Sequence, residues 1–147
     1  MSMDNKMMFL VSILAGLFVT MNTWAYKFDH IRLLYMNDVY MIVLMAVLMV
    51  FISMIFMNSA HAPTDTKTWV IWIIVIIVLF IMIRRQVFVD DAQYLNGMIP
   101  HHSMAILMSE KIKEKTKNPK IIKLANQIIE SQVKEIDQMN DILNENN

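Results

Sequence analysis

The sequence predicts an all-α protein in which three transmembrane helices precede an antiparallel helical hairpin, and three observations predict it. Hydrophobic residues make up 56% of the 147 positions and charged residues 18%, too apolar for an ordinary soluble domain. The charges are unevenly spread, with 9 Lys/Arg and 9 Asp/Glu from Arg84 onward against 4 of each before it. Only 2 glycines and 3 prolines are present, which leaves little chain for loops. These features divide the chain into a transmembrane domain, 1–86, and a helical-hairpin domain, 87–147.

The three spans are read from uncharged runs. Between Lys6 and Lys27 lie 20 uncharged residues, Met7–Tyr26. Between Asp38 and Asp65 lies a longer run containing Tyr40–Met57, and between Lys67 and Arg84 lies Thr68–Ile83. A helix needs roughly 20 residues to cross a hydrocarbon core of about 30 Å. The third run, at 16 residues, relies on Lys67, Arg84 and Arg85 snorkelling to extend its reach. Trp24, Tyr26, Tyr40, Trp69 and Trp72 lie near span ends, where amphipathic rings prefer the interface. The first run also has the outline of a secretory signal, but Thr23-Trp24-Ala25 is a poor cleavage site and a retained anchor is expected.

A multi-pass integral membrane protein is therefore expected. Counting Lys27, Arg32, Arg84 and Arg85 against Lys6 and Lys67 gives 4 to 2 in favour of a cytoplasmic C-terminus. Both parts of the chain are neutral in sum, so no basic field exists to hold nucleic acid. With no cysteine, disulfides and thiolate metal sites are excluded.

From Asp90 the pattern turns polar and helical. Asp90 or Asp91 can cap a helix running to about Thr116, with Lys117-Asn118-Pro119 breaking it. Asn118 caps a second helix, with Pro119 at its first position, running to about Leu143. The tail Asn144–Asn147 is expected to fray. At roughly 100° per residue, Tyr94, Met98, His101, Ala105, Met108 and Ile112 share one stripe of the first helix. The second helix gathers an apolar face with Gln132 near its centre and Glu135 at its border. Folding the pair brings His101 level with Gln132 and Val133, and Met98 near Ile136, Glu135 and Met139. Pro100, ten residues in, removes a backbone hydrogen bond, so a kink or a later helix start is expected there.

The run Met98-Ile99-Pro100-His101-His102-Ser103-Met104-Ala105-Ile106-Leu107-Met108 carries the chemistry. Imidazole and thioether suit copper, Cu(I) above all, where thiolate is absent. The plainer reading is that paired histidines satisfy a polar spot or face water, since neighbours on a helix diverge by about 100°. Gln132 and Glu135 are candidates for accepting the second N–H of a ligating imidazole. In the middle span Met41, Met45 and Met49 recur every fourth residue, with Met54 and Met57 further along. They read first as flexible apolar filler and second as a soft-ligand path for Cu(I). The Lys111, Lys113, Lys115, Lys117, Lys120 and Lys123 cluster reads as a solvated hairpin end, offset by Glu110 and Glu114.

Met98-Ile99-Pro100-His101-His102, followed by Met104-Ala105-Ile106 and Met108, then Gln132, Glu135-Ile136 and Met139, resembles the bacterial domain-of-unknown-function family numbered 305. That family is ferritin-like and helical, and several members are associated with copper or silver handling. The resemblance implies a bundle binding copper through Met98, His101, His102, Met104, Met108 and Met139. The resemblance to a bacterial family implies the bacterial inner membrane, and because many members are exported soluble proteins it points to an extracytoplasmic hairpin, opposite to the charge count. A full bundle needs four helices and this chain supplies two, so a homodimer or higher homo-oligomer is expected.

No glycine-rich phosphate loop, nucleophile elbow or Glu-x-x-His pair is present, so a binding protein rather than an enzyme is expected. The expected function is copper binding at a membrane for storage, sensing or hand-off, with the bilayer and a copper donor or acceptor protein as partners. The alternatives are a metal-free membrane scaffold that dimerises through the hairpin, and a small copper-conducting oligomer using the Met41, Met45 and Met49 face.

Overall fold

The computed structural model describes residues 3–18, 20–33, 35–58 and 65–145, and every regular element among them is helical. In chain order these are α1 (Met3–Phe18), 3-10 turns at Met21–Trp24 and Phe28–His30, α2 (Met36–Asn58), α3 (Thr66–Arg84), α4 (Asp91–Lys115) and α5 (Pro119–Glu145). The chain forms two compact units, each built from two separate stretches of sequence. One comprises Met1–Thr20 with Asn37–Phe88, the other Met21–Met36 with Val89–Asn147. Segment 21–36 packs with the C-terminal helices rather than with the helices it connects.

In the first unit, two helices among the described residues are long and apolar enough to cross a membrane, within Met36–Phe56 and Thr66–Arg84. At 1.5 Å per residue they rise about 31 Å and 28 Å. α3 buries none of its residues against the protein, although Ile and Val surround its axis. Such an all-round apolar helix is suited to lipid. Asp65 caps it by accepting the Thr68 N–H at 3.2 Å. Its end is a Schellman turn: Gln86 takes the left-handed region at φ 47°, while Gln86 N–H donates to Ile83 O and Val87 N–H to Met82 O. Phe51 and Trp69 hold α2 and α3 together edge to face, with ring centroids 5.5 Å apart. Gly16 brings α1 close to α2: a Cβ there would lie 3.3 Å from the Ile42 Cα.

The expected first span, Met7–Tyr26, is not one helix. α1 is 16 residues long and ends at Phe18, and the chain resumes as a 3-10 turn at Met21. Asn22 supplies a physical reason. Its side-chain amide accepts from the Arg32 N–H at 2.8 Å and donates to the Arg32 carbonyl at 2.6 Å. Such side-chain-to-backbone bonds compete with continued helix.

In the second unit α4 and α5 pack side by side. Leu95, Ile99 and Ile106 of α4 meet Ile136 and Met139 of α5, with Met98, Ile129 and Leu143 at the margin. Ile99, Ile106 and Ile136 are fully buried, each contributing about 1.5–3 kcal/mol by removal from water. Asp90 caps α4 through the Gln93 N–H at 2.8 Å, and Asn118 caps α5 through the Lys120 N–H at 3.0 Å. The helix is continuous through Pro100, whose ring is buried, so no later start occurs. Segment 21–36 is a third layer on this pair. Arg32 reaches Asn140 Oδ1 at 2.7 Å, and Met36 N–H donates to Gln93 Oε1 at 2.7 Å. Residues 146–147 of the expected frayed tail lie outside the described residues.

Candidate metal site

Contact between α4 and α5 decides where the donor side chains of the 98–108 run go. The helix buries Leu95, Ile99, Ser103, Ile106 and Ser109. The stripe singled out from the sequence lies about a third of a turn away, so Tyr94, His101, Met108 and Ile112 are exposed. Stripes one residue apart on a helix hold similar apolar content, and the sequence of α4 alone does not rank them. α5 packs on Leu95, Ile99 and Ile106, and Tyr26 and His30 cover Ser103, which selects the Leu95–Ile106 stripe.

His102 lies half-buried at the edge of that face, with its Nδ1 3.0 Å from Glu135 Oε2. The carboxylate approaches without the alignment of a hydrogen bond, because Nδ1 counts no hydrogen-bond partner. It is a close electrostatic approach, partly exposed on the Glu135 side. Glu135 is itself anchored, its Oε1 accepting the Ser131 hydroxyl at 2.7 Å. Burial holds the His102 pKa below the ordinary imidazole value, against the pull of Glu135 and helped by neighbouring His101. That shift favours the neutral ring, the form that ligates a metal.

The remaining candidates divide into three. Met139 belongs to the α4–α5 cluster and Met98 packs against that cluster, which puts both thioethers in one apolar setting. His101 is exposed, its ring centroid 6.0 Å from that of His102. Met104 is half-buried. Met108 is 59% exposed and stands two helical turns, about 10 Å of rise, from His101. Within one chain Met108 does not join the others. Gln132 is half-buried; Glu135, one turn further along α5, is the residue that reaches an imidazole. Among the described residues no group of three or more His, Asp or Glu side chains is placed to hold an ion, so any site here depends on methionine sulfur.

In the first unit Met41, Met45 and Met49 line one groove of about 330 Å³ with Leu44, Leu48 and Ile52. Met54 turns to the opposite side and is buried, so the row does not continue through it. The Met57 side chain lies outside those described. The tip lysines behave as a solvated end: Lys111 pairs with Glu114 at 2.6 Å and Lys113 with Glu110 at 3.3 Å.

Two polar residues were not anticipated. Ser103, fully buried, accepts the Tyr26 N–H at 2.7 Å and shares a hydrogen bond with His30 Nδ1 at 2.8 Å. Burial pushes the His30 pKa below its ordinary value, opposed by Asp29 and aided by Lys27 and Arg32. His30 also borders a cavity of about 300 Å³ with Tyr26, Lys27, Ile106, Glu110 and Asp137. The signal for this contact was the cluster of Lys27, Asp29, His30 and Arg32 between two apolar runs. Which surface it would meet is a tertiary matter.

The comparison with known proteins bears on the C-terminal half directly. The family described as domain of unknown function (DUF305) matches residues 85–145. An uncharacterized protein of Acanthamoeba polyphaga mimivirus is 49% identical over 146 residues, covering 97% of this chain and 95% of its own. No solved structure matches. The match over 85–145 takes in all of α4 and α5, so this part of the chain carries a DUF305 domain.

Proposed function

We propose that this protein is a membrane-anchored metal-binding protein that takes a soft cation on its α4–α5 pair, Cu(I) ahead of Cu(II), with silver as a second candidate. Its role is storage, sensing or hand-off to a donor or acceptor protein, not catalysis. The observation that carries this reading is the carboxylate of Glu135 at 3.0 Å from His102 Nδ1. Ligating histidines commonly have a carboxylate at the ring nitrogen that does not bind the metal, and it sets the ring's tautomer and orientation. Nδ1 of His102 is buried and faces the Glu135 carboxylate, which leaves Nε2 as the nitrogen for an ion. Met98 and Met139 add thioethers in the neighbouring cluster, and His101 adds a second imidazole. In this reading α2 and α3 cross the bilayer and α1 is the third span, while the helix pair is half of a ferritin-like four-helix bundle.

Anaerobic Cu(I) titration of the full chain in detergent tests it. Replacing His102 and Met98 together by alanine is expected to weaken binding at least tenfold, and Glu135→Gln to weaken it about tenfold. Unchanged affinity in both variants returns the helix pair to the scaffold reading, an anchored module without metal.

One observation favours a second reading. The shared groove of Met41, Met45 and Met49 would suit a Cu(I) conduit. Copper flux into liposomes that is equal for wild type and Met45→Leu removes it.

A further inference from the structure

α4 carries two longitudinal faces, and only one is covered. Leu95, Ile99, Ser103 and Ile106 are buried. The other face holds Tyr94, Met98, His101, Ala105, Met108 and Ile112, spaced 4, 3, 4, 3 and 4 residues apart. Tyr94, His101, Met108 and Ile112 are exposed, and Met98 and Ala105 are half-buried at the edge. Alternation of three and four is the heptad spacing of a left-handed coiled-coil seam. A solvated helix face has no need of such a seam.

We propose that this seam docks against the same seam of a second copy, antiparallel, and that the metal site is completed across it by Met108 of the partner subunit. Charge sets the direction. α4 begins with Asp91 after its Asp90 cap and ends with Lys113 and Lys115. Antiparallel pairing sets each acidic start against a basic end and opposes the helix dipoles, whereas parallel pairing sets like against like. Register follows from the spacing. One alignment matches all six positions, pairing Tyr94 with Ile112, Met98 with Met108 and His101 with Ala105. The same alignment puts Asp91 level with the partner's Lys115.

This arrangement accounts for Met108. In one chain it stands about 10 Å of rise beyond His101, out of ligating reach. Across the seam the partner's Met108 comes level with Met98, one turn from His101. Two equivalent sites result, in each of which the partner's Met108 joins Met98, His101 and His102, the donors of the proposed site. The ion in these sites rests on the metal reading above; the pairing does not.

The chain has no cysteine, so introduced ones report cleanly. Full-length Tyr94→Cys and Ile112→Cys copies are co-expressed, placed in lipid nanodiscs and treated with a short bifunctional thiol reagent. Cross-linked dimer is expected from the mixture and not from either variant alone. Cross-linking of either variant alone means parallel pairing and overturns the proposal. So does a strict monomer in which a dye on Tyr94→Cys is quenched by brominated lipid, because the bilayer then covers the stripe.

Subunit complementation tests the shared site. A Met108→Leu copy and a copy carrying Met98→Leu with His101→Ala should each bind Cu(I) at least tenfold more weakly than wild type. Mixed dimers should recover half of the wild-type sites. Absent recovery with the cross-link intact overturns the shared site. A wild-type protein that cross-links as expected yet binds no Cu(I) overturns the metal reading and the shared site with it, leaving the pairing.

Discussion

His102 and Ser103 are neighbours on α4 with opposite obligations. His102 turns its Nδ1 to Glu135, while Ser103 is sealed beneath Tyr26 and His30. His30 sets a pH dependence whose sign follows from burial. Its folded pKa lies below the ordinary imidazole value of about 6.5, so the unfolded chain binds the proton more readily. Stability is then fullest above about pH 6.5 and is lost as pH falls through that value toward the folded pKa. His102 is shifted the same way and adds to the slope. The melting temperature in detergent is expected to fall between about pH 7.5 and 5.5, and His30→Asn to flatten the fall. An undiminished slope in that variant assigns the effect elsewhere. At this scale the sequence named the metal-type donors but not their surroundings. Glu135 was legible as a partner for an imidazole because it borders an apolar face. Ser103 was not, since a small hydroxyl inside a helix carries no sign of burial.

α4 and α5 differ in how openly they declare their contacts. α5 concentrates Ala125, Ile136 and Met139 on one side, and those residues are the buried ones. α4 has apolar residues on most sides and a proline inside, yet runs unbroken from Asp91 to Lys115. Its ends were readable because capping is local chemistry: Asp90 on Gln93 N–H, Asn118 on Lys120 N–H. Asp90→Ala should cost about 1 kcal/mol of stability by chemical denaturation. Ile136→Ala, at the centre of the cluster, should cost about 2–5 kcal/mol. The same cut at exposed Ile142 should cost under about 0.5 kcal/mol. Equal losses at the two isoleucines would deny Ile136 its place in the core.

Across the whole molecule, segment 21–36 is the departure that matters. The chain leaves the apolar unit after α1, contributes a layer to the C-terminal unit and returns at α2. Helix lengths make the membrane topology testable. α1 rises about 24 Å, short of a hydrocarbon core of about 30 Å, so spanning requires local thinning of the bilayer. If it crosses with α2 and α3, tags at the two chain ends label from opposite faces of sealed vesicles. Labelling from the same face assigns α1 to the membrane surface. The 4-to-2 charge count further places the C-terminal tag on the cytoplasmic side.

The sequence by itself determined helical class, the two long apolar helices, both caps of the C-terminal pair and the DUF305 domain, because each rests on composition or on neighbours within a few residues. Only the tertiary structure decided which stripe of α4 is buried, that Glu135 rather than Gln132 reaches a histidine, and that residues 21–36 roof the helix pair. Those outcomes depend on surfaces brought together from distant parts of the chain, and a helix with several comparable apolar stripes leaves the choice among them to its partners.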